Sequence, residues 1–339
     1  MKKKSLLILI VFFSFIQIVT AQQKPQYTQY IFNYLLINPA VTGIENYTDA
    51  KAGYRSQWTG LQGAPVTSYL TIDFPIGDAF IQGDATAFPA EGGEDPSSRL
   101  YTQNYMASEP HHGLGFSVVS DLAGPINTTN IDVDYAYHLG LTDRINLAVG
   151  VAAGVNHISL NTSEITLENP LDPAIANGNN SQWTPDLSIG AWMYSSNYFV
   201  GASVQQLLPG NLYFSTERTV DQAKTVPQYF LTAGVKLFLS DDLSLMPSFL
   251  IKQIAPVPLT FDLNMKLNFK DKIWLGASYR QGDSFGVLAG INVSSFINVG
   301  YSYDITTSAL NTVSNGTHEI VIILLLNNRY NEGTSMHLF

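Results

Sequence analysis

The stretch Leu259-Thr260-Phe261-Asp262-Leu263-Asn264-Met265-Lys266-Leu267-Asn268-Phe269-Lys270 alternates without a break. Odd positions carry Leu, Phe or Met; even positions carry Thr, Asp, Asn or Lys. Successive side chains of an extended chain point to opposite faces, so this segment has one apolar face and one polar face. Strands of soluble sandwiches average about 5–6 residues, whereas a tilted strand needs about 9–11 to cross a bilayer. The length and the unbroken alternation predict a membrane-crossing strand, apolar toward lipid and polar toward an interior.

The same pattern recurs on both sides. Ile273, Leu275, Ala277 and Tyr279 alternate with Lys272, Trp274, Gly276, Ser278 and Arg280. Ile145, Leu147, Val149, Val151, Ala153 and Val155 share one face of a segment whose other face holds Arg144, Asn146, Ala148, Gly150, Ala152, Gly154 and Asn156. Read this way, the chain contains fourteen candidate strands, near 49–59, 66–76, 112–120, 126–139, 143–158, 185–194, 197–206, 227–239, 243–254, 259–270, 272–281, 284–293, 296–304 and 317–326. An even count suits a closed antiparallel barrel. Short connections at 141–143, 195–196, 240–242, 270–271 and 294–295 fall at alternate junctions, as periplasmic turns should. The long connections 159–184, 207–226 and 305–316 fall at the other end and are expected to be extracellular. Residues 77–111 are long and acidic, yet parity puts them on the periplasmic side. Trp58, Tyr69, Tyr135, Tyr137, Trp183, Tyr194, Tyr198, Tyr301 and Tyr303 are placed for aromatic girdles at the membrane interfaces.

Composition points the same way. Charged residues make up only 13% of the chain, about half the share of a soluble domain. No run beyond the N-terminus approaches the ~18 apolar residues of a spanning helix; the longest, Ile320–Leu326, is far shorter. Lys2, Lys3 and Lys4, the apolar run Ser5–Val19 and the small-residue site Val19-Thr20-Ala21 read as a signal peptide over 1–21. Subtracting those three lysines from 17 basic residues, against 27 acidic ones, leaves a mature chain near −13. That balance argues against nucleic acid as a partner. With no cysteine, disulfides, thiol catalysis, Cys-based metal sites and a lipid-modified N-terminus are excluded.

Two segments do not alternate. Residues 22–48 contain Tyr27, Tyr30, Phe32, Asn33, Tyr34, Asn38 and Pro39, and are aromatic, amide-rich and nearly uncharged. Such a segment is expected to pack inside something, and the barrel lumen is the container at hand. The last strand, Ile320–Leu326, is apolar on both faces, which a water-filled lumen would not favour. Together they predict a lumen plugged by residues 22–48.

No constellation of catalytic residues emerges. Gly282-Asp283-Ser284-Phe285-Gly286 matches a nucleophile-elbow spacing but lies between two strands, where it reads as a hairpin turn. His111 and His112 read as a polar strand entrance, and Asp132 and Asp134 as inward-facing polar residues of one strand. Glu91, Glu94 and Asp95 read as a solvated acidic loop. No catalytic, cofactor-binding or metal-binding residue is expected.

The order Gln29-Tyr30-Ile31-Phe32-Asn33, Leu36-Ile37-Asn38-Pro39-Ala40, Tyr54-Arg55-Ser56-Gln57-Trp58-Thr59-Gly60, Gly63-Ala64-Pro65, His112-Gly113-Leu114-Gly115-Phe116 with Asp121, Tyr301-Ser302-Tyr303-Asp304-Ile305 and His318-Glu319-Ile320 resembles the PorP/SprF family of type IX secretion system outer-membrane proteins of Bacteroidota. The resemblance spans nearly the whole mature chain; 77–111 looks longer than the family pattern and 327–339 extends past it. It implies a non-enzymatic barrel beside the secretion and gliding machinery, with machinery components, outer-membrane lipid and a secreted adhesin as partners. The adhesin would be held at the cell surface through its C-terminal sorting domain. The expected organisation is a signal peptide (1–21), a plug or periplasmic segment (22–48), a barrel (49–326) and a periplasmic tail (327–339). Apolar anchors in two long loops, Trp183, Leu207, Leu208, Tyr213 and Phe214, are the candidate partner contacts. An outer-membrane transporter or channel for a hydrophobic or small solute is the alternative.

Overall fold

Fourteen strands form in the computed structural model, which describes residues 27–77, 105–164, 180–210, 224–270, 272–294 and 296–327. They are β1 (Thr48–Ser56), β2 (Val66–Ile76), β3 (His111–Ala123), β4 (Ile126–Thr142), β5 (Ile145–Leu160), β6 (Ser181–Tyr194), β7 (Tyr198–Gln205), β8 (Gln228–Val235, resuming as Leu237–Ser240), β9 (Leu243–Ile254), β10 (Thr260–Phe269), β11 (Ile273–Arg280), β12 (Ser284–Ser294), β13 (Ile297–Thr306) and β14 (Thr317–Leu326). The break in β8 at Lys236 lies across from Met246 and Pro247 of β9. Proline has no N–H to give the ladder on that side; on the other side β8 stays tied to β7, the Lys236 amide donating to Asn197 O at 2.7 Å.

Each strand pairs antiparallel with the next, and β1 pairs with β14, so the sheet closes on itself as an all-β barrel. Closure removes both sheet edges, which lipid demands. No helix among the described residues is long and apolar enough to cross a membrane.

The alternation of the opening segment resolves as read. On β10, Leu263, Met265 and Phe269 are about half exposed on the outer face, while Asn264, Lys266 and Asn268 are buried inside. Two residues assigned to the girdles go the other way. Tyr69 and Tyr194 are buried, because their parity on β2 and β6 sets them with inward Thr67, Thr71, Trp192 and Ser188. The Tyr69 hydroxyl donates to Glu319 Oε1 at 3.3 Å, and the Tyr194 hydroxyl meets His138 Nδ1 at 3.0 Å.

The tight turns fall at one end of the barrel, at the β4–β5, β6–β7, β8–β9, β10–β11 and β12–β13 junctions. The β2–β3 connection lies at that same end, where parity places 77–111. Its described part packs under the β4–β5 turn: Ala107 N donates to Asp143 O at 2.8 Å, and Ser108 N and Oγ both donate to Asn146 Oδ1 at 2.9 Å. Residues 1–21, most of 77–111 and 328–339 lie outside the described residues.

Candidate functional site

Residues 27–47 form a non-periodic segment packed against the inward faces of the strands. They form three short 3-10 turns, Gln29–Phe32, Tyr34–Leu36 and Pro39–Val41, and nearly every residue is buried. Strand formation is blocked locally: Asn38 bonds its side chain to Ala40 N at 3.0 Å, and Pro39 starts the third turn.

The segment meets inward-facing groups all round the ring. Near the long-loop ends, Arg55 of β1 donates to Thr28 Oγ1 and Glu319 Oε2, both at 2.8 Å, and to Asp304 Oδ2 at 2.9 Å. Thr28 N and Gln29 Nε2 add bonds of 2.8 Å each to Glu319, at its carboxylate and its backbone oxygen. Arg280 of β11, paired with Asp262 and Asp283, donates to Tyr27 O at 3.0 Å. Phe32 lies 4.2 Å from Trp274, and Tyr34 packs on the stacked Trp192–Phe199 pair. Asn33 donates to Thr71 Oγ1 at 3.0 Å.

Asn38-Pro39-Ala40 sits on bare backbone. Asn38 Nδ2 donates to Ala191 O and Ala202 O at 3.1 and 3.2 Å, bridging β6 and β7. A side chain at Gly150 would place its Cβ 2.5 Å from Ala40 N, and one at Gly190 would lie 2.0 Å from Asn38 Oδ1. Only glycine lets the two backbones approach this closely.

Toward the short-turn end, His138 Nε2 contacts Thr42 O at 2.8 Å and His111 Nε2 contacts Gly43 O at 3.1 Å, the two rings stacked 4.4 Å apart. Gly43 N donates to Asp73 Oδ2 at 2.8 Å. Burial raises the Glu45 carboxyl to about 7, against the pull of the Lys51 ammonium. Burial also pushes the phenols of Tyr30 and Tyr34 above their ordinary range. Between residues 27 and 43, therefore, the segment descends from the long-loop end toward the short-turn end. Val321, Ile323 and Leu325, the inward half of the two-faced last strand, join the same buried cluster as Tyr30, Phe32 and Ile44.

Above the segment lies a vestibule of about 100 Å³. Tyr27, Tyr30, Leu35, Leu36, Ile37 and Pro39 line its base. Polar ends of β3–β7 and β8–β11 line its sides, with Asp132, Asp134 and Asp186 on one stretch of wall and Lys252 and Arg280 on another.

The structure brings Tyr27, Tyr30, Phe32, Asn33, Tyr34, Asn38 and Pro39 together as the vestibule base and the packing beneath it. It does not do the same for the loop residues. Trp183 is a strand residue of β6, facing outward and 59% exposed with its ring 4.3 Å from His157. Its loop assignment fails because β6 begins at Ser181, where Ser159 and Ser181 are still in register. Leu207 N donates to Leu187 O at 2.9 Å, leaving Leu207 half-buried and Leu208 exposed. Tyr213 and Phe214 lie outside the described residues. Ser284 opens β12 beside Asp283 in the expected hairpin. Sequence reasoning missed Arg55, Glu319, Asp304 and the His111–His138 pair as seats for the segment. Charged residues at inward positions of their strands, Arg55, Asp304 and Glu319, were the available signal.

The family model of type IX secretion system membrane protein PorP/SprF matches residues 19–324. No curated protein matches the chain. Among solved structures, Omp33 of Acinetobacter baumannii is similar at 8% identity and TM-score 0.47, over 84% of this chain and 100% of that one. The toluene transporter TodX of Pseudomonas putida is similar at 10% identity and TM-score 0.47, over 88% and 93%. A FadL homologue of Pseudomonas aeruginosa is similar at 11% identity and TM-score 0.43, over 85% and 91%.

Proposed function

The chain belongs to the PorP/SprF family of type IX secretion system membrane proteins, and from that premise we propose that it is a non-enzymatic outer-membrane barrel that holds the C-terminal sorting domain of an exported adhesin at the cell surface. In this reading residues 27–47 plug the lumen, and the partner docks at the long-loop end. The observation that carries it is the packing of that segment against inward-facing groups of strands around the ring, from Arg55 and Arg280 at one end to His111 and His138 at the other. A barrel filled by its own chain is suited to present a surface rather than to conduct. The mechanism is docking by burial, loop contacts and vestibule contacts, with no bond made or broken. Export through a signal peptide over 1–21 belongs to the same reading.

The vestibule itself favours a second reading, uptake of a small or hydrophobic solute, because its base is apolar and its walls are polar. Deleting the gene separates the two. Loss of one adhesin from the surface of intact cells, with solute uptake unchanged, supports docking. Retained adhesin with lost uptake of one nutrient overturns it. Affinity isolation from gently solubilised outer membranes then identifies the co-purifying chains. Removing residues 22–48 tests the plug. A truncated barrel that stays as stable and as closed to solutes as the intact one would rule it out.

A further inference from the structure

Three strands place an acidic wall on the vestibule. Across β4, β5 and β6 the register aligns Asn130 with Asn156 and Thr184, then Asp132 with Gly154 and Asp186, then Asp134 with Ala152 and Ser188. All but Gly154 and Thr184 line the cavity. A Cβ at Gly154 would lie 2.2 Å from Asp132 Oδ1, so the Asp132 carboxylate leans across the glycine toward Asp186. Asn130 Nδ2 donates to Asp132 Oδ2 and steadies that lean.

The wall is short of hydrogen-bond donors. Asp134 Oδ2, Asn156 Oδ1 and Asp186 Oδ1 are buried and have no hydrogen-bond partner. These residues are only 3%, 4% and 6% exposed. Neither Asp134 nor Asp186 joins an ion pair among the described residues, and Arg280 across the cavity is already committed to Asp262, Asp283 and Tyr27 O. Buried acceptors without donors carry a free-energy penalty that a ligand with N–H groups would lift.

The spacing selects the ligand. No group of three acidic or histidine residues among the described residues is close enough to hold a metal ion. Strands two apart stand about 10 Å from one another at the backbone, and the Asp132 carboxylate reaches over Gly154 into that interval. A guanidinium presents five N–H donors in a fixed fork, which fits acceptors spread over three strands better than a point charge does.

We propose that the Asp132–Asp134–Asn156–Asp186 wall is a binding site for a guanidinium group, supplied by an arginine side chain of the exported partner. The identity of the donor rests on the docking reading above; the site itself does not. The test uses the full mature chain in detergent, titrated by calorimetry with the peptide acetyl-Gly-Arg-Gly-amide. The same peptide with citrulline, neutral and of equal shape, is the control. The expected result is saturable binding of the arginine peptide, at least tenfold weaker for citrulline, and at least tenfold weaker for Asp186→Asn and, separately, for Asp132→Asn. Both variants must retain the heat-dependent gel mobility of the folded barrel. Equal binding of the two peptides, or arginine binding untouched by both substitutions, overturns the site, as does binding of calcium ions there with none of the arginine peptide. If the peptide binds and gene deletion leaves every adhesin in place, the docking reading fails and the guanidinium site stands.

Discussion

Replacing Arg55 by Met tests how firmly the interior segment is held. Arg55 is 1% exposed and makes three bonds of 2.8–2.9 Å to Thr28, Glu319 and Asp304. Methionine keeps the aliphatic stem and removes the charge. Asp304 and Glu319, themselves buried, then face each other with Thr28 between them and no guanidinium. Bonds to charged groups contribute about 1.5–3 kcal/mol each, which bounds the gross loss. Stranding one side of a buried ion pair costs about 3–5 kcal/mol, and that is the expected destabilisation. Replacing all three, Arg55→Met with Asp304→Asn and Glu319→Gln, removes the stranded charges and should recover most of the loss. Urea unfolding of the refolded barrel in micelles measures both, with exposed Arg144→Met as a control expected within about 0.5 kcal/mol of the parent. Protease cutting within 27–47 should rise in the single variant and fall back in the triple one. A single variant within about 1 kcal/mol of the parent, or a triple variant no better than the single one, would refute the reasoning.

Three more predictions follow from the same interior. Gly190→Val drives a side chain into Asn38 and should cost about 1–3 kcal/mol, less when combined with Asn38→Ala, as a double-mutant cycle in urea would record. The Glu45 carboxyl holds its proton up to about pH 7 in the folded chain against an ordinary value of 4.5. Stability from this group is therefore greatest below pH 4.5 and falls as pH rises to 7, by up to roughly 3 kcal/mol, and then stays level. The difference in unfolding free energy between the parent and Glu45→Gln, followed from pH 4 to 8, should show that slope, and a difference that stays flat across the range would refute it. Ile323→Ala, on the inward face, should cost about 2–4 kcal/mol by leaving a cavity, whereas Ile322→Ala on the outer face should cost distinctly less. Equal effects at the two positions would mean that water, not packed chain, lies inside β14.

Where an element is periodic, it was readable. The bounds of β2, β9 and β14 coincide with the candidate strands read from the sequence, and the others differ by a few residues at their ends. Lipid on one face and polar groups on the other impose a period of two on each strand separately, so no distant residue is needed to see it. The inward placement of Asp132 and Asp134 follows from the same parity. Tyr69 and Tyr194 show the limit: tyrosine suits an interface and an interior equally, and only register decides which face it takes.

The chain's own order thus determined a fourteen-stranded barrel, its two kinds of junction and a non-periodic segment built to be buried. The tertiary structure alone decided where that segment sits. Arg55 meets Asp304 and Glu319 across separations of 249 and 264 residues, because β1 closes on β14. The seat of Asn38-Pro39-Ala40 needs glycines from β5 and β6 at one height, and the acidic wall needs three strands in one register. Local patterning sets which face a residue takes; ring closure and register set its neighbours across the lumen, and those are properties of the whole sheet.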